Sequence, residues 1–164
     1  MSTEEIHVIG ARPYESVREL CHRVKDNDDN AIREAAHYLA GQVPERALIV
    51  PIPSRWGFAT NTLQLARMTV LFAGKRCTYA NILKGDFRES LYDLKKAGTD
   101  IKGIDLGLRF HSDAKKILTT ARIDKRPIIL LDNVIDTGTT ARACLHLIKD
   151  AMVMAIGDTQ NWKT

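Results

Sequence analysis

The stretch that most constrains this chain is Ile128-Ile129-Leu130-Leu131, followed at once by Asp132-Asn133-Val134-Ile135-Asp136 and then Thr137-Gly138-Thr139-Thr140. Four apolar residues after Pro127 read as a strand buried on both faces, the environment of a parallel sheet covered by helices. Asp132 and Asn133 stand where that strand is expected to end. A short turn of hydroxyl residues around Gly138 follows. After it comes a helix, because Ala141, Cys144, Leu145 and Ile148 recur at i, i+3, i+4 and i+7. Strand, hydroxyl turn and helix start together make an anion cradle. The first N–H groups of a helix have no partner within it, its dipole adds partial positive charge there, and glycine lets the backbone come close to a ligand. An acid just upstream suits sugar hydroxyls or a divalent cation. The combination favours a sugar phosphate over the plainer reading, a strand-to-helix turn with capping threonines.

In this register the residues resemble the phosphoribosyl-pyrophosphate (PRPP) signature of type I phosphoribosyltransferases, a hydrophobic strand with acids at its end and then Thr-Gly-x-Thr. The resemblance implies that Thr137, Gly138, Thr139 and Thr140 hold the ribose 5-phosphate. It implies that Asp132 binds the ribose hydroxyls and is the protein's ligand to Mg²⁺, with Asn133 as the neighbouring sugar contact. Asn133 is a departure, since the family usually carries a second acid there. The implied fold is α/β: a mostly parallel sheet of about five strands flanked by helices, with a mobile hood loop, in one domain over residues 1–164.

Ala47-Leu48-Ile49-Val50 is the second convincing strand, and it runs directly into Pro51-Ile52-Pro53-Ser54-Arg55-Trp56-Gly57-Phe58. Two prolines exclude helix and fix the chain as it leaves the strand. Rigid amides at a strand end bind anions, and Arg55 adds charge-assisted hydrogen bonds. The segment resembles the family's pyrophosphate loop, most nearly in the ComF-like (competence protein) branch, whose strand ends in Pro-x-Pro before an Arg-Gly-Phe-Asn-like stretch. Here Arg55-Trp56-Gly57-Phe58 precedes a delayed Asn61, so the match is partial. Pro51, Ile52, Pro53, Ser54 and Arg55 are the substrate-binding residues this implies.

Around these two segments the chain alternates in the way an α/β domain requires. Ile6 to Ile9 reads as a short strand closed by Gly10. Pro13 opens a helix with Val17, Leu20, Cys21 and Val24 on one face, and Asp26–Asn30 breaks it and supplies a cap. A second stripe runs Ile32, Ala35, Ala36, Leu39, Ala40 and Val43. Residues 60–73 form a helix apolar almost all round, expected to be buried and ended by Gly74. Residues 76–83 read as a third strand region, 114–121 as a short helix and 152–156 as the last strand. Between 84 and 110 lies the interval that the type I fold uses as its hood, with Gly98, Gly103 and Gly107. Such a hood shields an oxocarbenium-like transition state from water. Lys95, Lys96 and Arg88 all qualify to meet the departing pyrophosphate. Lys95 is carried forward as the catalytic candidate, although spacing does not choose among them.

Asp136 is the second catalytic candidate. Ile135-Asp136-Thr137-Gly138 resembles 6-oxopurine phosphoribosyltransferases, in which this aspartate is the general base at the purine nitrogen. A helix or turn cap is the alternative role, open on sequence alone.

Charge supports the site's position. The chain carries +4 overall, and residues 84–126 hold eleven Lys/Arg against seven Asp/Glu, while the remainder balances. A basic segment beside a phosphate cradle fits a polyanionic substrate. The absence of basic residues interleaved with aromatics argues against dedicated nucleic-acid binding. No apolar run spans a bilayer, and Met1–Glu5 lacks a signal peptide's pattern. Cys21, Cys77 and Cys144 have no paired spacing and read as reduced thiols, so a cytoplasmic protein without a membrane partner is expected. The expected activity is a Mg²⁺-dependent phosphoribosyltransferase moving the phosphoribosyl group from PRPP to a nitrogen acceptor such as a nucleobase, with loss of pyrophosphate. The alternative is a non-catalytic PRPP- or nucleotide-binding regulator, or a ComF-like DNA-uptake accessory protein. The acceptor, the pathway and a homodimeric state stay open.

Overall fold

In a computed structural model that describes residues 6–102 and 104–163, the Ile128–Leu131 run forms the middle of a parallel sheet. Met1–Glu5, considered above as a leader, and Gly103 of the hood lie outside the described residues. Chain order gives β1 (Val8–Ile9), β2 (Arg12–Pro13), α1 (Tyr14–Lys25), α2 (Asp29–Ala40), β3 (Leu48–Pro51), α3 (Asn61–Ala73), β4 (Thr78–Tyr79), β5 (Leu83–Lys84), α4 (Leu91–Lys96), β6 (Arg109–Phe110), α5 (Ala114–Ile123), β7 (Ile128–Ile135), α6 (Thr139–Leu147) and β8 (Met152–Asp158), then a 3₁₀ turn at Asn161–Lys163. Across the sheet the order is β4-β3-β7-β8-β1, and β2 continues along the same edge of β8 as β1. Every pairing in this sheet is parallel, so connections between neighbouring strands cross over and carry a helix or a long loop; only β1 and β2, successive on one edge of β8, are joined directly, through Gly10 and Ala11. The α/β architecture with about five strands across the sheet is therefore observed.

Side chains alternate across the pleat and fill two layers. Ile129 and Leu131 face α1, α2 and α3, where they meet Val24, Ala35, Leu39 and Leu65. Ile128 and Leu130 face α5 and α6, among Val50, Leu118, Cys144 and Val153. The predicted stripes Val17/Leu20/Cys21/Val24 and Ile32/Ala35/Ala36/Leu39/Ala40 are buried. Asp28 caps α2 by accepting from the amides of Asn30 and Ala31.

Three expectations need correction. β7 does not end at Asp132 but runs to Ile135, because β8 is longer than the sequence suggests and pairs with it to Ile135↔Asp158. The third strand region divides into β4, on the main sheet, and β5, which leaves it to pair antiparallel with β6 at the root of the hood. Helix α3 is only partly buried: Leu71 is 69% exposed, since α3 covers a sheet near its β4 edge with one face only. Among the described residues, no helix is long and apolar enough to cross a membrane.

Candidate functional site

The site begins where β3 and β7 separate. Their ladder holds to Pro51↔Leu131, and the Ile52 amide makes one last bond to the Leu131 carbonyl at 2.9 Å. Pro53 has no N–H to continue it. The chain turns away, and from Asp132 onward β7 has β8 on one side and an open edge on the other. Parallel sheets bind ligands at such divergences beyond their carboxyl ends.

The departing loop is rigid by its own bonds. The Ser54 amide and hydroxyl both donate to the Phe58 carbonyl (3.1 and 3.0 Å), the Ser54 hydroxyl accepts from the Trp56 amide (3.2 Å), and the Gly57 amide donates to the Ser54 carbonyl (3.0 Å). From α3, the buried Thr62 hydroxyl donates to the Ile52 carbonyl at 2.7 Å. Pro51, Ile52 and Pro53 are buried, whereas Ser54 and Arg55 are partly exposed. All five predicted residues thus stand at the carboxyl end of β3, beside the divergence.

The hood root is tied to this loop. The Gly85 amide donates to the Gly57 carbonyl (2.8 Å) and the Arg88 amide to the Arg55 carbonyl (2.9 Å). The approach demands glycine: Gly57 has φ +92°, and a Cβ there would lie 2.5 Å from the Gly85 carbonyl oxygen. This pairing carries Arg88 toward Asp132. Burial pushes the Asp132 carboxyl up to about 6, opposed by the Asn133 amide, which donates to it at 2.7 Å, and by the Arg88 charge. Burial likewise pulls the Arg88 guanidinium below its usual range, as does nearby Arg55, with Asp132 opposing. Of the three candidates Arg88, Lys95 and Lys96, Arg88 is the one whose charge acts on Asp132. Lys95 and Lys96 stand exposed on α4.

Asn133 projects to the other side of β7. Its amide Nδ2 donates to the Cys21 carbonyl of α1 at 3.0 Å, and its Oδ1 is buried without a partner. Adjacent strand residues face opposite layers, so Asn133 packs on α1 while Asp132 meets the hood. Its assignment as a sugar contact is therefore not supported by the placement of its side chain.

The cradle itself is Thr137–Thr140. Gly138 is the N-cap of α6 in the left-handed conformation (φ +77°). The backbone amides of Thr137, Gly138, Thr139 and Thr140 make no hydrogen bond among the described residues, which is what an anion site at a helix start requires. The Thr137 and Thr139 hydroxyls are 3.0 Å apart. Arg142, one turn into α6, donates to the Thr137 carbonyl (2.9 Å) and to the Trp162 carbonyl (2.8 Å).

Asp136 is not a cap of α6, where no side chain caps and Gly138 holds the N-cap. Its Oδ1 accepts instead from the Thr159 hydroxyl (2.9 Å) and the Asn161 amide (2.7 Å). Two surface hollows, one along α1 at Glu15–His22 and one between β4 and α5, lie away from these loops. Arg142, Thr159 and Asn161 do not stand out in the sequence. Arg142 carried a weak signal, one turn after Gly138; the other two carried none, because their role depends on β8 ending beside β7. No protein-family model matches the chain, and no curated protein matches it.

Proposed function

We propose that the chain is a type I phosphoribosyltransferase that moves the phosphoribosyl group of PRPP to a nitrogen acceptor and releases pyrophosphate. The observation that carries this reading is the convergence, at one end of the parallel sheet, of the β7 acid Asp132, four unengaged amides at a helix start and a pair of arginines from two joined loops. The amides of Thr137–Thr140 take the 5-phosphate. Asp132 accepts from the ribose hydroxyls. Arg55 and Arg88, with the amides of the Pro51–Arg55 loop, receive the pyrophosphate as its charge develops. Asp136 takes the proton of the attacking nitrogen. Held this way, the reactants need little more than positioning and a charged, water-poor site.

Among the described residues no three acidic, histidine or cysteine side chains gather as a metal site. A single carboxylate fits a Mg²⁺ ion that arrives on the substrate's phosphates, as this ion commonly does, with Asp132 as its protein ligand. When bound, the ion neutralises the leaving group. Cys21, Cys77 and Cys144 are all free and buried, in keeping with the cytoplasm as the place of action.

The test is calorimetric titration of PRPP with MgCl₂, followed by a pyrophosphate-release assay with a panel of nucleobases. Saturable binding that Asp132→Ala weakens at least tenfold, together with pyrophosphate release, is the expected result. Absence of PRPP binding overturns it. One observation favours the non-catalytic regulator or ComF-like accessory protein: the position usually held by a second acid is an amide committed to the Cys21 carbonyl. Tight PRPP binding without pyrophosphate release from any base would select that reading.

A further inference from the structure

Beyond β8 the chain makes a compact turn held by Asp158, whose Oδ1 accepts from the Gln160 amide at 2.7 Å and from the indole N–H of buried Trp162 at 2.8 Å. The turn lies directly against the cradle. A Cβ on Gly138 would come within 2.9 Å of the Trp162 Cβ, and Arg142 bridges the Thr137 and Trp162 carbonyls. From this support two side chains reach Asp136. The Thr159 hydroxyl and the Asn161 amide both end on the same oxygen, Oδ1, while the Thr159 hydroxyl also accepts from the Asn161 amide N–H at 3.1 Å. Asp136 Oδ2 has no hydrogen-bond partner among the described residues.

We propose that Thr159 and Asn161 are positioning residues for Asp136: by occupying Oδ1 they fix the carboxylate plane and leave Oδ2 as the oxygen that accepts the proton. This rests on the phosphoribosyl-transfer reading and deepens it. In the step concerned the acceptor nitrogen bonds to C1 of the ribose and the C1–O bond to pyrophosphate breaks. Pyrophosphate leaves with the electron pair, and the N–H proton passes to Oδ2. A carboxylate free to rotate about its side-chain bonds loses much of its advantage as a base, because proton transfer needs donor and acceptor within hydrogen-bond reach and aligned. Positioning residues that touch neither PRPP nor the acceptor should act on turnover and not on PRPP affinity.

The experiment compares the full chain with Thr159→Val/Asn161→Leu, Thr159→Ser, Asp136→Asn and the triple variant, using the nucleobase that gives the fastest pyrophosphate release. Thermal melting checks that each variant folds. In the double variant, kcat should fall roughly 10- to 100-fold while the PRPP Kd stays within about twofold. Thr159→Ser, which keeps the hydroxyl, should retain turnover within about threefold. Adding the double substitution to Asp136→Asn should cost nothing further, since groups that act as a unit are not additive. If Asp136→Asn abolishes turnover and the double variant does not slow it, the positioning role is wrong while the transfer reading stands. If Asp136→Asn turns over normally, Asp136 is not the base and this proposal fails while the transfer reading stands; if the wild-type chain releases no pyrophosphate with any base, the transfer reading fails and this proposal with it. Should the double variant not fold, Thr159→Val alone carries the same kcat-against-Kd comparison.

Discussion

Burial raises the Asp132 carboxyl to about 6, against the Asn133 amide and Arg88, and that shift fixes the sign of two pH effects. An acid whose pKa is higher in the folded chain than its unfolded value of about 3.9 binds its proton more tightly when folded. The stability it contributes is fully present below about pH 4 and is lost as the pH rises through about 6. Ionised Asp132 therefore costs the ligand-free fold up to about 3 kcal/mol near neutral pH. Asp132→Asn should melt at a higher temperature than the parent at about pH 7.5, with the gap closing toward about pH 4. A pH-independent gap in the melting curves would show that the carboxylate is well solvated. Binding has the opposite sign under the proposed function: with ribose hydroxyls donating to the ionised form, PRPP affinity should fall below about pH 6 more steeply in the parent than in Asp132→Asn, whose own curve records the ligand's titration. Asn133 makes the contrasting case. The substitution Asn133→Asp removes the donor to the Cys21 carbonyl and turns a carboxylate toward it. The expected outcome is a loss of about 1–3 kcal/mol in denaturant unfolding, with no gain in PRPP affinity. Tighter binding by this variant would show that the side chain can swing into the site.

At the scale of elements, the Ser54–Phe58 turn and the hood root are joined by two backbone hydrogen bonds, from Gly85 to Gly57 and from Arg88 to Arg55, and by the Trp56 and Phe87 rings, whose centroids are 5.3 Å apart. Gly57→Ala combines a strained positive φ with a clash against a carbonyl oxygen that cannot move aside as a side chain can. It should separate the two loops, costing about 1–3 kcal/mol and withdrawing Arg88 from Asp132. PRPP binding should weaken severalfold, as read by titration; unchanged affinity would mean the loops bind phosphate independently. Such contacts also mark what the sequence reveals. β3 and the first half of β7 are legible as apolar runs bounded by proline, and α1 and α2 as clean helical stripes, because burial writes itself into residue type. The cradle is legible because glycine and threonine at a helix start have a specific chemistry. The second half of β7 is not, since Asp132-Asn133-Val134 carries no strand pattern and is held extended only by β8. The β5–β6 ribbon is two residues per strand, too short to have a period. Thr159 and Asn161 meet Asp136 from 23 and 25 residues away, a pairing set by topology and by no local signal.

Over the whole molecule, stability is unevenly distributed, and the distribution suits a site that must open and close. The sheet and its two helical layers hold the large buried side chains, including Leu39, Ile49, Leu65, Leu130, Leu131 and Met154. The hood by comparison buries little beyond Ile101 and Leu106, exposes Phe87 and Tyr92, and is joined at its root by a two-residue ribbon and the exposed Asp86–Arg109 ion pair at 2.9 Å. An exposed pair of that kind contributes about 1 kcal/mol at most. Segments with so few buried contacts open locally at small free-energy cost, well below global unfolding. Arg88 adds a reason for the hood to open, since in this arrangement its guanidinium lies near that of Arg55 in a partly buried site. A pyrophosphate between the two arginines would replace that repulsion with two attractions. Hydrogen exchange should therefore be fast over residues 86–102 in the free protein and slow markedly when PRPP and Mg²⁺ are added. Amides of β7 and β8 should slow only by the global linkage, about 2.7 kcal/mol at a hundredfold excess over Kd. Slowing confined to the sheet, with residues 86–102 still exchanging freely, would mean that PRPP binds without the hood. Arg88 would then have no part in catalysis. If both regions slow together by the same amount, the hood is part of the cooperative core, and the closure step has no place in the mechanism.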